Sequence, residues 1–318
     1  MKRRFFLSAA ASTGLGMASL RAMAQGNVSR LVVGFPPGGV ADAVARLTAE
    51  RFGPSLGTSF IVENKPGAST SLAAAYVKRA SQDGTTLLFA PSTSLTLLAL
   101  TKRKLPYDPE KDFAPVARLA VVPNAIAVRS DSPYKSLGEY VAAIKAAKIS
   151  PMVGVAALGG ASHIALAGLS KELGVRFEAV PYQGGAPMTS DLLGGHIPAA
   201  SDASLVAMHK AGKVRMLAVS TTQRFPLTPD VPTFEELGLQ SFRSFWYGIW
   251  APAGTPANAI KPLEVAASKM IGDPDIGRRL LELGVVPSLL VGQDFGRATA
   301  AERDVLRPIV VASGYMED

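Results

Sequence analysis

The 318-residue chain contains no cysteine. Disulfides, thiolate nucleophiles and cysteine-based zinc sites are excluded together. Histidine is almost as scarce: the only three, His163, His196 and His209, show no metal-ligand spacing. No metal and no cofactor are expected. Charged residues are 18% of the chain against 48% hydrophobic residues, which excludes disorder, and 318 residues suit two lobes that each bury a core. There is no Gly-x-Ser-x-Gly elbow, no phosphate-binding Walker loop and no His-Glu-x-x-His pair, and no internal repeat or low-complexity tract. An α/β enzyme stays open as an alternative, but with no nucleophile–base pair to carry it.

What is present begins with charge. The formal net charge is +8, but Lys2, Arg3, Arg4 and Arg21 lie in the first 24 residues, where no acid occurs, so the remainder carries +4. The other basic residues are scattered instead of interleaved with aromatics, so no nucleic-acid partner is expected. The N-terminus has the three parts of a signal peptide: the Lys2–Arg4 charges, an apolar stretch over 5–20, and Ala22-Met23-Ala24 as a cleavage site before Gln25. Residues 1–24 are read as that leader, which implies export to the periplasm. The Arg3-Arg4-Phe5-Phe6-Leu7 run resembles a twin-arginine signal, with the general secretion route as the alternative.

The rest alternates short β runs with helical runs, the pattern of an α/β protein. Strands are expected over 30–35, 60–63, 85–90, 175–180 and 214–220. Helices are expected over 40–52 with Gly53 as the stop, 69–80, 136–147 with Ser136 as cap, 162–173 with Gly174 as stop, and 186–193. Val40, Val44 and Leu47 should share the buried face of the first helix. Two apolar runs, 116–128 and 245–251, are read as crossings between lobes. Lobe 1 is then discontinuous, 25–125 plus 246–318, and lobe 2 covers 126–245. The fold class expected from this pattern is α/β in two lobes, each a mixed, mostly parallel sheet flanked by helices.

One feature recurs. Four loops of glycine, proline and short polar residues, at 35–39, 66–71, 158–162 and 182–187, lead from strands into helices. A helix N-terminus offers unpaired N–H groups and a partial positive charge, and glycine lets a ligand come close to them. Such ends hold carboxylate or phosphate without a cation. No Lys or Arg sits inside any of the four loops, so an anion site built from main-chain groups, hydroxyls and water is expected. Asp42, in a first helical turn, also suits the dipole there, and Asp202 suits a cap.

These loops carry a family resemblance. Phe-Pro-Pro-Gly-Gly at 35–39 followed by Asp42, Glu-Asn-Lys-Pro-Gly-Ala at 63–68, Leu-Pro-Tyr-Asp-Pro at 105–109, Val-Pro-Tyr-Gln-Gly at 180–184, Asp-Leu-Leu-Gly-Gly at 191–195 and the Trp-Tyr-Gly-Ile-Trp-Ala-Pro run from 246 resemble, in order, the receptors of tripartite tricarboxylate transporters, the Bug family. The resemblance spans essentially the whole mature chain. It implies a flytrap receptor, monomeric, that binds a small carboxylate and delivers it to integral-membrane permease subunits, one large and one small. A sensing receptor, or an orphan receptor without a transport role, is the alternative. Carried onto this chain, the resemblance points to Phe35, Gly38, Gly39, Ala41 and Asp42 in one lobe and to Tyr182, Gly184, Gly185 and Ala186 in the other. Ser69, Ser92, Thr93, Ser94, Gly160, Ala161, Ser162, His163 and Asp202 would line the remainder. Two departures fall near that site: Ala41, where Thr or Ser is frequent, and Ser69-Thr70, where Gly-Gly is frequent.

Overall fold

The computed structural model describes residues 28–149 and 151–317. The leader expected over 1–24 lies outside them. The chain begins with β1 (Val28–Val33), α1 (Val40–Leu56), β2 (Ser59–Asn64), a 3-10 turn (Ala68–Thr70), α2 (Ser71–Val77), β3 (Thr86–Pro91), α3 (Ser92–Leu95), α4 (Leu98–Thr101) and β4 (Phe113–Val122). A second set follows: β5 (Ala125–Arg129), α5 (Leu137–Ala147), β6 (Met152–Val155), α6 (Ala161–Leu173), β7 (Glu178–Pro181), α7 (Gly185–Gly194), β8 (Ala199–Asp202), α8 (Leu205–Lys210) and β9 (Val214–Val219). The chain closes with β10 (Phe245–Pro252), α9 (Ala257–Ile271), α10 (Pro274–Glu282), β11 (Val286–Val291) and α11 (Gly292–Ser313).

The strands form two mixed sheets, ordered β11-β4-β10-β3-β1-β2 and β7-β6-β8-β5-β9. Alternation decides which face each side chain joins. In the first sheet Leu31, Val33, Phe89, Tyr247 and Ile249 meet Phe52 of α1 and Leu263 of α9. Their neighbours Val32, Leu88, Ala90, Trp246 and Trp250 meet Val77 of α2 and Phe295 of α11. In the second sheet Val153, Val155 and Val128 pack under α5 and α6, while Ala127 and Met216 pack under α7 and α8. Each lobe therefore has a core on both faces of its sheet.

Three expectations change. The first helix does not stop at Gly53 but runs to Leu56, where Gly57 takes the left-handed conformation at φ 65°; Gly53 and Pro54 fall in its last turn, where the Gly53 carbonyl accepts from the Gly57 and Thr58 N–H groups. Val40 is exposed, so only Val44 and Leu47 of the expected trio are buried. The run at 116–128 is two strands, β4 and β5, in different sheets, and it breaks at Pro123-Asn124. That break is a crossing, as expected. The run at 245–251 lies wholly inside the first sheet, and the return crossing is the preceding stretch, 220–244.

Both crossings are tied at one point. Asn124 N–H donates to Ser220 Oγ (2.7 Å), Ser220 N–H donates to the Asn124 carbonyl (2.8 Å), and Ser220 Oγ lies 2.8 Å from Ser244 Oγ. A third link is apolar: Leu97 and Val310 of the first lobe enclose Ile164 of α6, flanked by Ile309 and Tyr315.

Strand direction places the candidate loops. β4 leaves the first sheet at its C-terminal end, and β3, and hence β1, ends on the same side, since Tyr247 pairs with both Pro91 and Ala120. In the second sheet Ala125, where the chain enters, pairs with Asp202, and β6 and β7 run parallel to β8. The carboxyl ends of β1, β3, β6, β7 and β8 thus all lie on the sides where the sheets adjoin, the position at which open α/β sheets bind ligands.

Candidate functional site

The first loop is shaped by Asp42. Its side chain is 3% exposed although it is an acid. One carboxylate oxygen accepts from Gly38 N–H (3.0 Å) and from Arg46 Nε (2.8 Å); the other accepts from Asn64 Nδ2 (2.9 Å). Asn64 also donates to the Phe35 carbonyl (3.0 Å). Burial raises the Asp42 pKa, but the bonds from Arg46, Gly38 and Asn64 outweigh it and hold the carboxyl at about 2. The acid is thus an internal strut that folds 35–42 back on itself. It leaves Phe35, half-buried, and Gly38 and Gly39, exposed, at the surface of the loop, and buries Ala41. The residue that needs to be glycine is Gly38, at φ 89°; Gly39 is extended at φ −83°, and a Cβ there would meet nothing.

The second loop is strained. Ala68, Ser69 and Thr70 all have positive φ, at 47°, 55° and 76°. L-residues visit this region singly and at a cost. The helix expected over 69–80 consequently shrinks to α2, without a side-chain cap. Thr70 is held by packing: its Cβ sits where a Cβ on Gly34 would come within 2.6 Å. Its hydroxyl makes a short hydrogen bond with Ser94 Oγ. Ser94 and Ser92 are buried, and Tyr107 Oη donates to the Ser94 carbonyl (2.7 Å). The loops at 34–42, 68–70 and 92–94 therefore touch through Gly34, Thr70 and Ser94, with Ser69 exposed and Thr93 half-buried at their surface.

In the second lobe, Gly185 opens α7 against Asp202 and Ser204: a Cβ on Gly185 would fall 2.9 Å from Asp202 Oδ1 and 2.8 Å from Ser204 Oγ. Asp202 Oδ1 accepts from Ser204 N–H (2.9 Å), which turns the chain after β8. Burial, and after it the Asp202 charge, raise the pKa of the Tyr247 hydroxyl of the first lobe, and Ala203 and Phe35 pack against the same core. The Tyr182 hydroxyl donates to Asp191 Oδ2 (2.7 Å), and burial together with that carboxylate pushes its pKa up to about 12. Gly184, at φ 101°, precedes the helix, and Ala186 is exposed in its first turn.

The remaining group, 160–163, is split. Ser162 Oγ accepts from Asn124 Nδ2 (2.9 Å), which joins the start of α6 to the crossing. His163 turns away: its Nδ1 accepts from Gly159 N–H (3.0 Å), its ring stands edge-on to Tyr315, and burial lowers its pKa. Gly160 and Ala161 stay half-buried at the helix start. Asn124 and Ser204 were not among the candidates from sequence. Asn124 follows a proline at the end of a long apolar run, a signal that marks a break but not a buried hydrogen-bonding amide.

The helix starts share one property. α1, α6 and α7 open on Gly39, Gly160 and Gly184, and none receives a side-chain hydrogen bond at its first turn. By contrast α5 is capped by Ser136 and α10 by Asp273. α9 and α11, also without side-chain caps, open on Pro256 and Val291 instead of glycine. The Gly160 and Gly184 N–H groups are held by the Ala157 and Ala156 carbonyls, but the N–H groups that follow at 40–41, 161–162 and 185–186 have no partner among the described residues and face an external acceptor.

The model of the tripartite tricarboxylate transporter family receptor matches residues 44–314. A protein of Agrobacterium vitis from the TAR-I ttuE-ttuC' intergenic region is 37% identical over 269 residues, 84% of this chain and 77% of its own length. Among solved structures, Rpa4515 of R. palustris with adipate superposes with a TM-score of 0.78 at 32% identity, covering 91% of this chain and 97% of that one. MatC of Rhodopseudomonas palustris with bound malate gives a TM-score of 0.73 at 31% identity, covering 89% and 98%. The chain therefore belongs to the tripartite tricarboxylate transporter receptor family, as its ordered loop motifs suggest.

Proposed function

We propose that this chain is a periplasmic receptor that captures a small organic carboxylate between its lobes and presents it to a permease of one large and one small membrane subunit. The lobes are divided close to 25–125 plus 246–318 and 126–245, with Ala125 in the second sheet and Phe245 in the first. The reading is carried by one observation: three glycine-led helix starts without side-chain caps, one from the first lobe and two from the second, lie on the adjoining sides of the two sheets. Gly39 and the turn after it offer main-chain N–H groups from the first lobe, the Gly38 N–H being held by Asp42; Gly185 and Ala186 do so from the second, the Gly184 N–H being held by the Ala156 carbonyl, with Asp202 beside them. Asp42 carries the negative charge nearest the first loop, but its oxygens are consumed by the loop itself. It does not compete with a ligand for the open N–H groups. The adipate and malate held by two relatives are both dicarboxylates and fit this chemistry.

A thermal-shift screen of organic acids, adipate and malate included, identifies the ligand: at about 100 times its Kd it adds roughly 2.7 kcal/mol to stability. Calorimetry then compares the acid with its methyl ester. The acid is expected to bind near micromolar, about −8 kcal/mol. The ester should bind at least roughly tenfold more weakly, since a charge-assisted hydrogen bond is worth about 1.5–3 kcal/mol. Equal affinity for acid and ester rejects the site.

A further inference from the structure

A cavity of ≈ 630 Å³ lies behind the crossing, bounded by β4, β10, β11, α11 and the return segment 220–244. None of the candidate residues of the cleft lines it. Its volume is within the range of small-molecule sites, about 300–1,000 Å³. Arg118 of β4 projects into it, and its Nε is buried with no hydrogen-bond partner. The Thr221 hydroxyl, also on the lining, is buried and equally unpartnered. Arg243, on the exposed side, has no ion-pair partner among the described residues. A desolvated guanidinium without an acceptor is costly, and its fork matches a carboxylate.

The acids nearby do not fill that role. Glu302 faces Arg118, but one of its oxygens accepts from Trp246 Nε1 (2.6 Å) and the other from Thr96 Oγ1 (3.2 Å). Arg224 is paired with Glu236 (3.0 Å), and Glu235 is exposed at the rim. Arg118 and Arg243 remain as cations open to an anion, beside Phe242 and Trp246, whose rings are largely buried and reach the lining by their edges. We infer that this cavity is a second ligand site, for a monocarboxylate with a flat apolar body, with Arg118 and Arg243 gripping the carboxylate and Phe242 and Trp246 covering the ring. Because Thr221 and Arg243 belong to the return crossing, an occupant bridges that segment to β4 and is sensed where the lobes are joined.

The test uses benzoate and the full mature chain carrying Trp250→Phe, which leaves Trp246 as the only tryptophan. Trp250 Nε1 has no hydrogen-bond partner, so this change removes no bond. Titration with benzoate should give a saturable change in Trp246 fluorescence, and benzyl alcohol should give none. Arg118→Gln and Arg243→Gln should each weaken binding at least tenfold, and Gly185→Val in the cleft should leave it unchanged. Arg243 is exposed, so its variant remains decisive if Arg118→Gln fails to fold. The inference is overturned by an unsaturable response, by benzyl alcohol binding equally, or by a benzoate affinity indifferent to Arg243→Gln. Loss of the signal in Gly185→Val also overturns it, since benzoate would then occupy the cleft. The cleft reading is unaffected by the first three outcomes, because it is tested separately by acid and ester.

Discussion

Ser69 and Thr70 are adjacent, share the left-handed conformation, and should respond oppositely to glycine. An L-residue in this region costs about 1–2 kcal/mol. Glycine removes that cost but loses more chain entropy on folding, about 0.5–1 kcal/mol. Ser69 is exposed, so Ser69→Gly forfeits little else and should stabilise the protein by about 0.5–1 kcal/mol. Thr70 is 8% exposed and bonded to the fully buried Ser94 hydroxyl. Thr70→Gly gains the same relief, loses a buried methyl worth about 0.8 kcal/mol, and leaves Ser94 unsatisfied at about 1–3 kcal/mol. It also opens a void against Gly34. The net effect should be a loss of about 1–2 kcal/mol. Urea unfolding of both variants with unchanged m-values gives the two numbers. Shifts of the same sign would refute the reasoning, because they would show that conformation alone, or packing alone, governs both positions.

Asp42→Asn should lower stability by about 1–2 kcal/mol at pH 7, reduced from the full pKa shift because Arg46 is largely exposed. The folded pKa, about 2, lies below the ordinary 3.8, so the contribution is complete above pH 4 and is lost as the pH falls toward 2; unfolding at pH 7 and pH 2.5 should show the gap to wild type closing. Gly185→Val should cut affinity for the identified acid at least roughly tenfold, since even its Cβ would displace Asp202 and Ser204. Lys210→Ala and Lys213→Ala, both exposed, should leave the calorimetric Kd within about twofold; loss of binding there and not at Gly185 would mean a basic site.

The loops were legible because their chemistry is local. Gly174 ending α6 and Ser136 capping α5 follow from backbone preferences that act within one turn, and both are found. The α/β class follows from the alternation of periods, and the two lobes from chain length and the apolar runs between them. What was not legible depends on partners far along the chain. Nothing near Asp42 in sequence says that Asn64 reaches it, and nothing near His163 says that Tyr315 takes its ring. The conformation of 68–70 was also hidden, since Ser and Thr read as helix caps until packing against Gly34 and Ser94 forces them left-handed. Asn124 belongs to the same class through its bond to Ser162, far along the chain; its other side-chain bond, to the adjacent Ala125 N–H, is local.

The knot at Asn124 and the apolar contact of Leu97, Ile164 and Val310 are two places shared by both lobes, beside the packing of Leu281 and Val286 on the second-lobe core. Two points determine a line, so relative motion that keeps both intact has a single axis, running from the crossing to the α6–α11 contact. Ser162, bonded to Asn124, and Ile164 stand two residues apart on α6, so that axis is short and passes by the start of this helix. Points on it barely move, and displacement grows in proportion to distance from it. If the lobes close on a ligand about this axis, the loop at 160–163 should stay nearly stationary while 35–42 and 182–187 approach each other. A liganded structure should show distances from Asn124 to Ile164 and Val310 preserved, with Gly39 and Gly185 drawn together.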